Sequence, residues 1–361
     1  MKHGRTGRTL FPIACGSDAE VGNFFLGVED APKAGTGREA SHALLREFHG
    51  YPLKAPCPSS CICPPGQICK CGFDPQDWGR KFLPSNGGCA YIDLDHCELV
   101  TPETLSAFDF LAAWHASLRI ARGALDAANG RLPGGQRIVV LVNSSDGQGQ
   151  TYGNHMSFLI SRLTFENIFH RKLHHMLFLA SYFSSSIIFA GAGKVGSENG
   201  RDEVKFQVAQ RADFYEVLTG IQTTYHRPIV NSRDEPLASR SLMARLHVIF
   251  FDSTLCHGAC VLKAGVTQVI LAMLEREYLD QDLLLDDPVA AVVRWSHDPD
   301  LQATARTVAG QAYTAVELQW RFFELASRFV ATGKADGIVP RVHDIMALWE
   351  DTLEKLERDP L

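Results

Sequence analysis

Apolar positions change their rhythm along this chain. Up to about residue 251, short apolar runs alternate with polar or glycine-rich breaks, which is the pattern of strands. From Thr267 onward they return every three or four positions, which is the pattern of amphipathic helices. Residues 13–22, Ala90 to Leu94, Arg137 to Asn143 (RIVVLVN) and Leu246 to Phe251 (LHVIFF) are expected as strands. Helices are expected over Glu39 to Phe48, over Thr164 to Ser181, and over 267–279, 288–295, 313–331 and 342–357. Another should open at Thr101-Pro102-Glu103, with Thr101 as N-cap and Pro102 in the first turn, and run through Phe110 and Leu118. The uncharged run Met176 to Gly193 reaches the length of a short membrane span, but its four serines weaken the apolar drive. It reads as a buried helix end followed by a buried strand, Ile187 to Ala190, and no membrane association is expected. Strands early and helices late make the fold class α+β, with no internal repeat.

Composition narrows the class. Hydrophobic residues at 45% and charged residues at 21% are ordinary for a globular protein and exclude a disordered chain, a collagen-like fibre and a coiled-coil rod. A chain of 361 residues can bury a large core as one domain or two. The net charge of −6 speaks against a nucleic-acid partner, because phosphate-backbone binding rests on clustered Lys and Arg. The basic start MKHGRTGRTLFPIACG holds too short an apolar stretch for a signal-peptide core, so a cytoplasmic location is expected. In that reducing setting the ten cysteines are not expected to form a disulfide framework. Five of them, Cys57, Cys61, Cys63, Cys69 and Cys71, are spaced C-x3-C-x-C-x5-C-x-C, unlike a zinc ribbon. They are compatible with a structural metal on thiolates or with a loop of exposed thiols. They sit in an irregular Pro/Gly/Cys-rich insertion at about 45–83, and connections of that length are functional or disordered more often than structural.

Most of the motifs weaken on inspection. Gly191-Ala-Gly193-Lys-Val-Gly196 matches G-x-G-x-x-G, yet the charged segment behind it does not open a helix, as a dinucleotide site requires. His170 and His174 share helical spacing but lack the intervening carboxylate of a zinc protease motif, and read as solvated helix residues. The acidic residues carry more. Asp18 and Glu20 lie two apart on a strand and so share a face. Tyr91 and Asp93 repeat that spacing, and Glu98 and Glu103 follow. Carboxylates on one strand face are hard oxygen ligands suited to Mg²⁺, especially Mg²⁺ shared with nucleotide phosphates. Three basic stretches, ending at Arg211, around Arg233 and at Arg245-Leu-His247, could complete a phosphate site. Together they point to phosphoryl transfer or ATP-dependent amide chemistry.

At these residues the chain resembles the Pup ligase and Pup deamidase/depupylase family, relatives of glutamine synthetase and the carboxylate–amine ligases. Carrying the resemblance are Gly16-Ser-Asp-Ala-Glu-Val-Gly22, Tyr91-Ile-Asp93 through Glu98 to Glu103, and Asn143-Ser-Ser-Asp146 through Thr151-Tyr-Gly-Asn-His155. The Gly191–Gly196 turn, Phe206 to Asp213, Arg227 to Pro236 and Arg245-Leu-His247 follow in the family's order. The spacing from Asp93 to Glu98 and the stretch from Ser296 to Pro360 look more like the depupylase than the ligase. The resemblance implies a curved, mainly antiparallel, glutamine-synthetase-like sheet backed by helices, forming one catalytic domain over 13–357. It implies that Glu20, Tyr91, Glu98 and His247 hold Mg²⁺ with Asp18 close by. Thr101, Arg233 and Arg245 would face the phosphates of ATP, with Arg211 on the same side of the chemistry. Asp93 would be the catalytic carboxylate. The implied activity is hydrolysis of an amide on a Pup-like tag, as deamidase or depupylase; the alternatives are a ligase joining the tag to lysine and a non-catalytic tag-binding homologue. Partners are then the tag and tagged proteins. Family members continue beyond the point matched by Leu361 into a small C-terminal domain, so that domain is expected to be absent here or supplied by a second chain.

Overall fold

The computed structural model describes residues 11–27, 36–52, 79–236 and 238–360. Cys57 to Cys71 lie outside the described residues. The chain divides into two compact units: a larger one of residues 1–17, 103–112 and 143–361, and a smaller one of residues 18–102 and 113–142.

The smaller unit is built on an antiparallel sheet. Its strands are β1 (Cys15–Leu26, of which the first residues belong to the larger unit), β2 (Tyr51–Pro52), β3 (Lys81–Phe82), β4 (Cys89–Asp93) and β5 (His96–Val100), in the order β1-β5-β4-β3-β2. Helix α1 (Thr36–Glu47) precedes β2; α2 (Ala107–Asn129) and β6 (Arg137–Leu141) follow β5, and β6 pairs with the second half of β1. The two-residue period of a strand sorts the sheet into two faces. One carries Ala19 opposite Leu99 and Leu99 opposite Ala90, all buried. The other carries Glu20 opposite Glu98 and Glu98 opposite Tyr91. β4 and β5 are joined by the tight turn Leu94-Asp95, with Leu94 at φ 50. Asn23 locks the turn and α1 to the sheet: its carbonyl accepts from the Cys97 amide at 3.0 Å, and its amide donates to the Ser41 hydroxyl at 2.8 Å. The Ser41 hydroxyl in turn donates to the Asp95 carbonyl at 2.7 Å.

The larger unit holds β7 (Asn154–Ser161), α3 (Arg162–Glu166), α4 (Leu173–Ala190), the short strands β8 (Lys194–Val195) and β9 (Phe206–Gln207), and the parallel pair β10 (Tyr215–Gly220) and β11 (Arg227–Asn231). After these come β12 (Met243–Val248), α5 (His257–Glu275), α6 (Pro288–Ser296), the hairpin β13 (Thr304–Arg306) and β14 (Ala312–Thr314), α7 (Ala315–Ala331) and α8 (Val342–Arg358). β12 pairs antiparallel with β7, and the Leu159 amide donates to the Ala14 carbonyl at 2.9 Å. Helices α4, α5, α7 and α8 enclose a core in which Phe178, Tyr182, Phe322 and Trp349 are fully buried. Helix ends follow their sequence signals: Thr314 and Glu317 form a capping box on α7, and Asp287 caps α6 ahead of Pro288.

Several sequence expectations are corrected. Ile187 to Ala190 is not a strand but the last turn of α4. The serines of that helix are buried without penalty because each hydroxyl finds a carbonyl: Ser181 donates to Leu177, Ser185 to Ser181, Ser186 to Phe183 and Ser184 to Pro288. α4 and α5 are each long and apolar enough to cross a membrane, but 83% of each is buried against the rest of the protein, as in a core helix. Thr101 does not cap a helix. The N-cap of α2 is Ser106, whose hydroxyl accepts from the Asp109 amide at 3.0 Å, because Thr104 is drawn into a backbone bridge with Cys15. Strand β12 ends at Val248 rather than Phe251, and β5 and β7 were not anticipated.

Glu275, buried at the end of α5, accepts from the Ser161 amide at 2.6 Å and from the hydroxyls of Ser161 at 2.7 Å and Thr164 at 2.8 Å. It thereby welds the end of β7 and the first turn of α3 to the helical core. Glu275→Ala should lower stability by about 2 kcal/mol, because it strands the buried Thr164 hydroxyl and the half-buried Ser161 amide. A urea midpoint within error of wild type would show that these groups are resatisfied by water.

Candidate active site

The acidic residues singled out in the sequence fall in the smaller unit. Register sets their geometry. Glu20, Glu98 and Tyr91 form one row across β1, β5 and β4, and Asp18 and Asp93 stand two residues away on the same face. Glu98 is 2% exposed, Glu20 is buried, and Asp93 at the end of β4 is exposed. Burial first, then the charges of Asp18 and Glu20, hold the Glu98 carboxyl well above the usual carboxylate range, although a hydrogen bond with Tyr91 opposes this. The Tyr91 phenol is likewise held strongly protonated by burial and by the Glu98 and Asp18 charges. Arg80 lays its guanidinium over the Tyr91 ring, 3.8 Å from its centre, and is the nearby cation that partly offsets this charge. Arg80 was not anticipated: it stands alone in an irregular segment with no periodicity to mark it.

This crowding is what a hard divalent cation relieves, so the donor set fits Mg²⁺. Among the described residues, no three His, Cys, Asp or Glu side chains already enclose a metal position. A cation would have to draw the carboxylates together. Glu103 is exposed and belongs to the larger unit. Thr101 is buried directly after β5.

The basic residues fall in the larger unit, as does His247, the remaining expected metal ligand. On β12, Arg245 and His247 share a face. The His247 ring meets His155 of β7 edge-on at 5.3 Å, and its buried Nδ1 has no protein partner. Burial, then Arg245 and Arg233, push the His247 imidazole down to about 3, so it is neutral with a lone pair to offer. His155 is also held neutral, by burial and by His247, Arg211, Arg227 and Arg233. Arg211 is 1% exposed, and its Nε and Nη1 have no protein partner. Gly153 makes room for it, since a Cβ there would lie 1.7 Å from Nη1. Arg233 follows β11, its amide donating to the Asn231 side chain at 2.9 Å. Arg245 stands 3.6 Å from Glu235, and its buried Nε has no protein partner. Around the buried His155 and His247 the cations Arg211, Arg233 and Arg245 gather, with unused donors on Arg211 and Arg245, a chemistry suited to a polyanion.

The glycine turn 191–196 follows helix α4, not a strand, and opens no helix, so it is not a dinucleotide site. Instead it joins a polar network. The Glu198 carboxylate takes the Ser145 hydroxyl, the Gly149 amide at 2.9 Å and Lys194 at 2.8 Å. Asp213 takes the Glu198 amide at 2.8 Å, Gln207 at 2.7 Å and His297 at 2.7 Å. The network holds the 143–153 loop.

The sequence of the chain decides its family. A family model described as Pup-ligase protein matches residues 50–361. The chain belongs to the Pup-ligase protein family. Within that family it is 39% identical over 284 residues to the depupylase of Acidothermus cellulolyticus, covering 78% of this chain and 54% of that protein. It is 34% identical over 282 residues to the Pup deamidase/depupylase of Mycolicibacterium smegmatis, with the same coverage. The chain thus spans about half the length of the curated relatives it matches. Its fold matches the ligase PafA in complex with Pup, with a TM-score of 0.74 at 22% identity over 98% of this chain and 66% of that one. It also matches PafA in complex with ADP, with a TM-score of 0.65 at 25% identity over 78% and 61%. A glutamate–cysteine ligase shares the fold at a TM-score of 0.52 and 10% identity, in keeping with the glutamine-synthetase-like α+β class of the Pup-ligase family.

Two tests follow from the charges. A neutral side chain at position 98 removes the like-charge repulsion, so Glu98→Gln should melt higher than wild type in EDTA, by roughly 1–2 °C for about 1 kcal/mol in a chain of this size. Added Mg²⁺ should raise the melting point of wild type more than that of the variant; equal responses would place the ion elsewhere. For Asp213, burial works against ionisation, but the bonds from Gln207, Glu198, His297 and Lys194 outweigh it and hold the carboxyl below the usual range. With the folded value below the unfolded one, its stabilisation is whole above about pH 3.9 and drains away as pH falls through the folded value. Asp213→Asn should therefore start less stable and lose less on acidification, and an acid-unfolding curve parallel to wild type would refute this.

Proposed function

We propose that the chain is an amide hydrolase of the deamidase/depupylase type, acting with Mg²⁺ and ATP on the C-terminal residue of a Pup-like tag. The single observation that carries this reading is the Glu20–Glu98–Tyr91 row with the exposed Asp93 two residues beyond it. The relatives named depupylase support the choice of reaction, and the neighbour solved with ADP supports nucleotide use.

In the smaller unit, Glu20, Glu98 and Tyr91, with Asp18 beside them, are assigned to the cation. In the larger unit, Arg211, Arg233 and Arg245 are assigned to the phosphates. Bound Mg²⁺ with ATP would supply concentrated positive charge and the phosphate oxygens that a hard cation prefers. Asp93 does the chemistry on the tag. As base, it takes a proton from water, the water oxygen bonds to the side-chain amide carbon, and the carbon–nitrogen bond breaks as that proton passes to the leaving nitrogen. As nucleophile, its oxygen bonds to the same carbon first, and water releases it afterwards. The leaving group is ammonia from a Gln-ended tag or the lysine amine of a conjugate. His247 for the cation and Thr101 for the phosphates complete the assignment, each tested by its own alanine variant.

Asp93→Asn should keep near-normal Mg-ATP affinity in calorimetry while turnover of a Gln-ended tag falls at least about 10³-fold, or roughly 4 kcal/mol in the barrier. Recovery of turnover at high Mg²⁺ would make Asp93 a metal residue instead. Calorimetry on Glu98→Ala should show weakened Mg-ATP binding, and unchanged affinity would remove Glu98 from the site. The second reading, a ligase, is favoured by the fold match to PafA. It would win if a Glu-ended tag were coupled to lysine with release of ADP. Neither turnover nor nucleotide binding would leave a tag-binding homologue.

A further inference from the structure

Asp252, directly behind β12, is 3% exposed and is not called on by the proposed chemistry. Its Oδ2 accepts from the amides of Ala192 at 2.9 Å and Gln210 at 2.8 Å, and its Oδ1 from the amide of Arg211 at 3.2 Å. These amides come from two separate stretches, the glycine turn 191–196 and the segment that presents Arg211. A third joins through neighbours: the Ser253 amide donates to the Ser144 hydroxyl at 2.9 Å. The Gln210 side chain closes the knot, its carbonyl accepting from the Ser144 amide at 2.6 Å and its amide donating to the Gly193 carbonyl at 2.9 Å. From the core side, fully buried Lys263 donates to the Asp252 carbonyl at 3.1 Å.

A carboxylate collecting backbone amides fixes main chain, not side chain. Here the fixed main chain is that of Arg211, whose Nε and Nη1 are buried without a protein partner. The Arg211 side chain packs at Gly153 and meets Tyr215, and the direction of its free donors starts from a backbone that cannot turn.

We propose that Asp252 is the positioning residue of the anion site: by clamping the 210–211 backbone to the glycine turn, it aims the Arg211 guanidinium at an incoming phosphate. This rests on the assignment of Arg211 to the phosphates of ATP, so the test has one arm that uses nucleotide and one that does not.

Asn at position 252 keeps the shape but turns one acceptor into a donor that faces the amides. Asp252→Asn should raise the Kd for Mg-ATP by about ten- to a hundredfold, the scale on which groups that orient a ligating side chain act. In an Arg211→Ala background the same change should add almost nothing, because Asp252 acts through Arg211. Equal losses in both backgrounds would overturn the proposal, as would an unchanged Kd in a folded variant. The second arm follows the arginine side-chain Nε–H resonances in protein free of nucleotide. Asp252→Asn should move or broaden the resonance that Arg211→Ala deletes, and an unmoved resonance would refute the positioning role. If that resonance moves but Arg211→Ala leaves ATP affinity intact, Asp252 still positions Arg211 and the phosphate assignment is what falls. Should Asp252→Asn not fold, Asp252→Ser, which keeps one acceptor, takes its place in both arms.

Discussion

The smaller unit buries acid groups together on one side of an antiparallel sheet. Glu98 is almost sealed from water, faces Glu20 across one strand boundary and Tyr91 across the other, and feels Asp18 and Asp93 along the rows. Like charges at such positions destabilise a sheet and are not kept for packing. The opposite face, with Ala19, Leu99 and Ala90, carries the apolar burial that holds the strands in place. Register cannot slip, because a shift by one residue would exchange the two faces. The stability of the apolar face is thus what keeps the acid face assembled.

The larger unit solves the complementary problem of holding cations and irregular loops in a buried setting. Arg211 and Lys263 are both nearly inaccessible. Their neighbours are not a shell of opposite charges but oriented backbone: Asp252 is spent on amides, and its own carbonyl receives Lys263. Asp213 and Glu198 likewise use their oxygens on amides and side-chain donors of the loops around them. These loops have no regular ladders to hold them, so they are held by carboxylates. Arg211 is left with its Nε and Nη1 unused.

Much of this was written in local sequence. The late helices were legible because their apolar period is unbroken over many turns and their caps, such as Thr314 with Glu317, are local devices. The shared face of Asp18 with Glu20, and of Tyr91 with Asp93, was legible because strand alternation needs no partner to be known. What local sequence could not carry were properties that belong to pairs of distant segments. Ile187–Ala190, expected as a strand, continues α4, whose preceding serines are satisfied within the helix and against Pro288, which no β-propensity anticipates. The cap expected at Thr101 moved to Ser106 because Cys15, far away in sequence, captures Thr104.

The sequence by itself determined the family, the alternation that makes an acidic strand face, and the residue types that suit Mg²⁺ and phosphate. Only the tertiary structure decided that Glu98 lies opposite both Glu20 and Tyr91, that Arg80 covers the Tyr91 ring, and that Asp252 stands behind Arg211. The physical reason is range. Periodicity and capping act over one or two turns of chain, whereas pairing register, burial and the pKa values that follow from them exist only once segments far apart in sequence are brought within hydrogen-bonding distance.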